Sequence, residues 1–211
     1  MLYASRSIRA PSPSRHHLPL LDRLILARDG DDRLSEEELI SLAVLLLVAG
    51  HETTTNFLGN ATLSLLQHPA GLDRLHQNPD GIPAVLDELL RFVSPVSTAT
   101  FRHTTEAVTL GGTDSPAGAP VLVALGAANR DPERFPSSGQ FDTERDAAGH
   151  LAFGHGIQRC VGAPLAKAEG DIALRAVLAR FPRIRLAVLP DQLEWRHTRL
   201  VRGLASLPVL N

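Results

Sequence analysis

The most informative stretch of the chain reads Phe153-Gly154-His155-Gly156-Ile157-Gln158-Arg159-Cys160-Val161-Gly162-Ala163-Pro164 and contains its single cysteine. The glycines permit a tight turn against a ligand, and Pro164 predicts that a helix begins there. Cys160 therefore lies just before a helix N-terminus, where the helix dipole and free N–H groups favour an anionic sulfur. A metal-ligating thiolate, a buried inert thiol and a nucleophile all remain open on this stretch alone. A zinc site shared with His155 lacks further clustered ligands.

A long helix is predicted upstream, over residues 36–67. Ser35 and Glu38 have the spacing of a capping box, and Pro69 ends the helical pattern. Further helices are predicted over residues 70–77, 82–92 and 164–180. Short strands with turns between them are predicted across residues 108–125 as one small sheet, followed by a loop over residues 129–149 and a few short strands in residues 183–211. The predicted fold class is therefore mainly α with a small β component.

A small and polar cluster interrupts the apolar run of the long helix. It reads Ala49-Gly50-His51-Glu52-Thr53-Thr54-Thr55, although glycine and threonine are unfavourable in a helix interior. We interpret Ala49 and Gly50 as space for a flat ligand. Glu52 and Thr53 then handle protons beside that ligand. The alternative interpretation is a hydrated helix kink.

A candidate ionic network begins with Glu88 and Arg91, which lie three residues apart on one helix face. Such pairs are mostly solvated surface bridges of little value, but Leu89 and Leu90 between them indicate burial. Arg134 is the expected third member of a buried structural network. Breaking such a network is expected to cost about 3–5 kcal/mol.

The composition is that of a soluble globular protein: 211 residues, 44% hydrophobic, 21% charged and a net charge of −2. This charge balance does not favour nucleic acid as a partner. A single cysteine excludes internal disulfides and favours the cytoplasm. The longest apolar run, residues 39–48, is shorter than the roughly 20 residues that span a bilayer, so no membrane anchor is expected. Residues 1–19 are predicted to be a disordered leader ahead of one domain over residues 20–211.

Taken together, four motifs resemble the cytochrome P-450 family of haem-thiolate monooxygenases, in particular its soluble bacterial members. They are AGHETT at residues 49–54, Glu-x-x-Arg at 88–91, PERF at 132–135 and FGHGIQRCVG at 153–162, in the order that the family requires. The resemblance implies the C-terminal part of the P-450 fold: a long central helix, the Glu-x-x-Arg helix, a small sheet, the cysteine loop and the helix after it. It also implies that roughly the N-terminal half of the family fold is absent.

The resemblance implies haem b, iron protoporphyrin IX, as cofactor with Cys160 as the metal ligand. Glu52 and Thr53 are the expected catalytic residues, which deliver protons to bound oxygen. Gln158 stands where many bacterial members have a propionate-binding histidine, so that contact is expected to be weaker. Arg102 is the expected partner of a haem propionate. The remaining expected cofactor contacts are Phe153, Gly154, Gly162 and Ala163 near the sulfur, and Ala49 and Gly50 on the other face.

The function that the resemblance implies is oxygen-dependent monooxygenation of a small to medium apolar organic substrate. Electrons would come from NAD(P)H through a ferredoxin or flavodoxin-type partner. Residues 95–98 and 202–204 are expected near the substrate. Two alternatives remain: a truncated, catalytically inactive fragment that binds haem weakly or not at all, and a haem-binding sensor or carrier that needs neither Glu52 nor Thr53.

Overall fold

The computed structural model of the chain describes residues 22, 24–25, 34–196 and 200–211. The leader that the sequence predicts over residues 1–19 lies outside them. Contacts between Cα atoms divide the chain into two compact units, Met1–Ala49 and Gly50–Asn211. The boundary between the units falls inside the long helix.

The helices follow the sequence-based prediction closely. From Glu36 onwards, the described residues form α1 (Glu36–Leu66), α2 (Pro69–Gln77), α3 (Ile82–Val93), α4 (Leu125–Ala128) and α5 (Ala163–Arg180). The bounds of the four longer helices agree with the predicted ones to within one residue. The agreement has a local cause, because α2, α3 and α5 each carry a proline in the first turn, where the missing N–H breaks no helical hydrogen bond.

The start of α1 is a reciprocal capping box. The Ser35 backbone N–H donates to the Glu38 carboxylate at 2.7 Å and lowers the pKa of that group, while the Glu38 N–H donates to Ser35 Oγ at 3.2 Å. The following turns of α1 expose apolar side chains, of which Leu47 is 70% exposed. By length and composition alone, α1 is long and apolar enough to cross a membrane. One such helix is weak evidence for a membrane span, because core helices of soluble proteins share this length and composition.

The strands form separate pairs, so the prediction of one small sheet is wrong. The described strands are β1 (Arg102–His103), β2 (Val108–Leu110), β3 (Thr113–Ser115), β4 (Pro120–Val121), β5 (Arg185–Leu186) and β6 (Val209–Leu210). They pair antiparallel as β1–β4, β2–β3 and β5–β6. The β2–β3 hairpin turns on Gly111 and Gly112, both with positive φ, as a tight two-residue hairpin requires. Strands of two or three residues offer too few ladder bonds to join a wider sheet.

The core of the Gly50–Asn211 unit lies between the end of α1, α2, α3 and α5. Gly170 on α5 allows three helices to approach closely, because a Cβ there would lie 3.0 Å from Leu86 on α3 and 3.2 Å from Phe57 on α1. The predicted strand over residues 121–125 is wrong beyond Val121, which ends β4, and Leu125 begins α4. The main core residues are Phe57, Ala61, Leu65, Leu75, Ile82, Val85, Leu86, Leu89, Leu90, Leu174 and Leu178.

Glu88 and Arg91 form a fully buried pair inside this core. Arg91 Nε and Nη2 donate to the two oxygens of Glu88 at 2.6 and 2.8 Å, and both side chains are 0% exposed. Arg91 also donates to three backbone carbonyls, those of Asn129, Ser138 and Gln140. Every guanidinium hydrogen of Arg91 therefore has a partner, as a buried charge needs.

The third member of the network is Arg145, and the prediction of Arg134 is wrong. Arg145 Nε donates to Glu88 Oε1 at 3.3 Å, and its side chain is 11% exposed. Arg134 instead donates to the Ala148 carbonyl at 2.6 Å and lies over the Phe135 ring. Both arginines belong to the irregular segment after α4, where no helical or strand period shows which one turns inward.

Candidate haem-binding site

The cysteine loop is closed by a backbone hydrogen bond across its base. The Cys160 N–H donates to the Phe153 carbonyl at 2.8 Å. Gly154 and Gly156 have φ values of 73° and 64°, which favour glycine. A Cβ at Gly154 would also lie 3.4 Å from the Gln158 carbonyl oxygen. The two glycines therefore permit the tight path that returns the chain to Cys160.

The Cys160 thiol is free and exposed ahead of α5. Gly162 is the N-cap and Ala163 the first residue of that helix, so the sulfur lies near its positive end, as predicted. A Cβ at Gly162 would lie 3.7 Å from Cys160 Sγ, in ordinary contact. A glycine there keeps the surroundings of the sulfur open.

Two features of this loop suit a haem: the single thiol that it offers to a metal, and the exposed apolar side chains near that thiol. The described residues contain no group of three or more His, Cys, Asp or Glu that could hold a metal ion, so Cys160 is offered as a single donor. A haem iron needs few protein ligands because the ring supplies the others. Ile157 and Val161, on either side of Cys160 in the chain, are 96% and 92% exposed. Exposed apolar side chains beside a thiol suit a flat apolar ring.

The other predicted residues of the loop differ in burial. Phe153 is half-buried and packs on the core, whereas Gln158 is exposed. Ala163 is buried at the start of α5. Phe153, Gly154, Gln158, Gly162 and Ala163 thus share one loop with Cys160, but only some of them have side chains open to a ligand.

Arg102 lies apart from that loop, on β1. It is exposed, and its Nη1 donates to Thr100 and to the Phe101 carbonyl at 3.4 Å. No ion pair within the described part of the chain includes Arg102. Its charge is therefore available to a carboxylate.

The predicted proton-handling pair lies on α1. Glu52 Oε1 accepts from Asn56 Nδ2 and from Arg196 Nη1, each at 2.9 Å. Thr53 is half-buried. Sequence reasoning missed Arg196, which lies 144 residues from Glu52 in a tail without a motif.

Ala49 and Gly50, the predicted space for a flat ligand, are adjacent residues of α1 in different compact units. Both are exposed. A Cβ at Gly50 would meet no described atom within 4 Å.

The two segments expected near the substrate meet each other. The Arg202 N–H donates to the Pro95 carbonyl at 2.7 Å, and Val96 and Val201 form an isolated antiparallel bridge. Arg202 also lies over the Trp195 ring at 4.1 Å. Residues 95–98 and 202–204 are thus brought together by backbone pairing.

Comparisons with known proteins define the family. The family model described as Cytochrome P450 matches residues 4–82 and 82–196, so the chain belongs to the cytochrome P450 family. Cytochrome P450 107B1 of Saccharopolyspora erythraea is 54% identical over 190 residues, which cover 90% of this chain and 47% of the relative. The 6-deoxyerythronolide B hydroxylase of the same organism is 47% identical over 191 residues, with 90% and 47% covered.

A solved structure agrees with this assignment. The tirandamycin C-bound P450 monooxygenase TamI superposes with a TM-score of 0.85 at 50% identity, covering 90% of this chain and 47% of that one. The predicted family and its C-terminal fold are therefore confirmed. The family implies a haem cofactor, and the named relatives are oxidoreductases. The chain spans about half the length of the curated relatives it matches.

Proposed function

We propose that this chain supplies the haem-thiolate part of a cytochrome P450 monooxygenase, with Cys160 as the iron ligand. The observation that carries the proposal is the exposed thiol at the end of a glycine-shaped loop, directly ahead of α5, in a chain of this family. When bound, haem supplies oxygen activation, because a thiolate ligand donates electron density that favours O–O cleavage.

In this proposal, residues of several structural elements bind the haem. Arg102 binds a propionate through its guanidinium, and Gln158 adds a neutral hydrogen bond. Phe153, Gly154, Gly162 and Ala163 bound the sulfur side. Ala49 and Gly50 would also contact the ring, and the absence of a side chain on Gly50 would give it room.

Proton delivery is assigned to Glu52 and Thr53. The Glu52 carboxylate is held in place by the bonds from Asn56 and Arg196, which both end on its Oε1. The Thr53 hydroxyl passes the proton onward, since a hydroxyl both donates and accepts. An intact pair of this kind favours an oxygenase over a simple haem carrier.

The proposed substrate is a small to medium apolar organic molecule, held near residues 95–98 and 202–204. Electrons come from NAD(P)H through a separate ferredoxin or flavodoxin-type protein, and the exposed Arg159 beside Cys160 suits an acidic donor. We place the protein in the cytoplasm, because the apolar part of α1 leads into residues that the proposal assigns to the haem.

Isotope labelling tests the proposed reaction. The haem-loaded chain is supplied with a surrogate ferredoxin system, a panel of apolar substrates and ¹⁸O₂. We expect products that carry one ¹⁸O atom, and we expect Cys160→Ser to form none. A chain with the spectrum of thiolate-ligated haem but without labelled product would refute the monooxygenase and support the inactive fragment.

A further inference from the structure

The segment that leads into the cysteine loop is held by side chains outside the motif. The Leu151 N–H donates to Asn129 Oδ1 at 2.6 Å, and the next amide, that of Ala152, donates to His150 Nδ1 at 3.1 Å. Phe153 follows directly, and its carbonyl accepts the Cys160 N–H at 2.8 Å. The position of that carbonyl therefore depends on two side-chain acceptors.

Both acceptors are tied to helix α3. The Asn129 backbone carbonyl accepts from Arg91 Nη1 at 2.8 Å, and His150 Nε2 lies 3.2 Å from Asp87 Oδ1. Asp87 and Arg91 stand four residues apart on α3 and thus share a face. Lys167 of α5 joins the same Asp87 oxygen at 2.5 Å. The residues that accept hydrogen bonds from two successive amides ahead of the cysteine loop are therefore both bonded to side chains of α3.

The Asn129 side chain makes one hydrogen bond among the described residues, the one that it accepts from the Leu151 amide. It is 1% exposed, and its Nδ2 has no hydrogen-bond partner among the described residues. The side chain thus contributes one acceptor, to the Leu151 amide, while its backbone serves Arg91. Removing that acceptor leaves a partly buried N–H unpaired without touching the Glu88–Arg91 pair.

We propose that Asn129 and His150 are positioning residues that set the Phe153 carbonyl and, through it, the Cys160 amide and thiolate. The proposal rests on the haem-thiolate function inferred above. Neither residue is assigned a contact with the cofactor. Their effect is to keep the cysteine in the geometry that ligates iron.

The His150 contact is sensitive to protonation. Because Nδ1 accepts the Ala152 N–H, the ring proton lies on Nε2, toward Asp87. A second proton on Nδ1 would replace the acceptor by a donor and break this bond. Burial lowers the pKa of His150, against the opposing effect of Asp87, while Lys167 and Arg159 lower it further. The bond is therefore intact at neutral pH and is lost as the pH falls below the ordinary histidine value of 6.5.

A matched pair at Asn129 tests the first contact. Asn129→Leu removes the acceptor at similar volume, and Asn129→Asp retains it. We expect Asn129→Leu to speed exchange of the Leu151 amide by about tenfold, measured by NMR in the haem-free and the ferrous carbon monoxide-bound chain. The share of haem with the red-shifted Soret band of thiolate ligation should fall as well. In Asn129→Asp, the exchange of the Leu151 amide and the share of haem with this band should both be close to those of the parent.

A pair at His150 tests the second contact even if Asn129→Leu does not fold. His150→Gln offers an acceptor that does not titrate, whereas His150→Phe offers none. We expect the parent to lose its thiolate band on acidification, His150→Gln to lose it at lower pH, and His150→Phe to show a reduced band at every pH. The same pH profile in parent and His150→Gln, with unchanged amide exchange in His150→Phe, would overturn the proposal. If the parent lacks the band altogether, the proposed function fails, and amide exchange in the haem-free chain still decides the positioning role.

Discussion

The substitution Glu88→Gln tests the buried network most sharply. Glu88 accepts from Arg91 twice, from the Asp142 N–H and from Arg145. Glutamine keeps the size of the side chain, removes its charge and turns one acceptor into a donor. Two guanidinium groups then remain near a neutral amide, one of them fully buried.

The expected loss of stability is large. Removing one partner of a buried ion pair leaves an uncompensated charge and costs about 3–5 kcal/mol. The free energy of unfolding of a domain is only about 5–15 kcal/mol. Glu88→Gln should therefore remove a large share of this free energy. For a chain of this size the loss corresponds to about 6–20 °C in Tm.

The assay is urea unfolding followed by far-UV circular dichroism, with two arginine variants as a matched comparison. Arg145→Gln should cost about 1.5–3 kcal/mol, because it removes a charged hydrogen bond to Glu88 and the guanidinium bonds to backbone carbonyls of residues 136, 137 and 140. Arg134→Gln should cost less than about 1 kcal/mol, because Arg134 is exposed and outside the network. A Glu88→Gln variant within about 1 kcal/mol of the parent, or Arg134→Gln costing more than Arg145→Gln, would refute the reasoning.

Three further substitutions have defined outcomes. Gly203→Ala should cost about 1–3 kcal/mol in urea unfolding, because its Cβ would collide with Asn56 Oδ1, and an unchanged midpoint would contradict that crowding. Gly170→Ala should also lower the midpoint, since Leu86 must move to accept the methyl group, and stability at or above that of the parent would show that the helices have room. Thr53→Ala should leave haem binding intact but divert oxygen into peroxide, and an unchanged product yield per electron would show that Thr53 is only a helix residue.

The helices were predictable because their signals are local. The capping box at Ser35 and the prolines in the first turns fix where helices begin, whatever the rest of the fold does. The position of Cys160 ahead of α5 follows in the same way from Gly162 and Pro164. The start of the helix that follows the cysteine loop could therefore be predicted from sequence to within one residue.

The pairings between distant segments could not be predicted. Arg145 and Arg134 carry the same charge in one irregular segment, and only the three-dimensional path of that segment brings Arg145 to Glu88. The bond from Arg196 to Glu52 has no sequence spacing that would indicate it. The prediction of one small sheet failed for a related reason. A strand of two residues has too little alternation of apolar and polar side chains to show which strand it pairs with.

Carbon monoxide spectroscopy of the haem-loaded chain tests the assignment of Cys160 most directly. The reduced, carbon monoxide-bound protein should show the strongly red-shifted Soret band that a thiolate ligand produces. Cys160→Ser should lose this band, whereas Gln158→Asn, which keeps the cysteine, should retain it. Absence of the band in the parent, or its survival in Cys160→Ser, would contradict the assignment of Cys160 as the iron ligand.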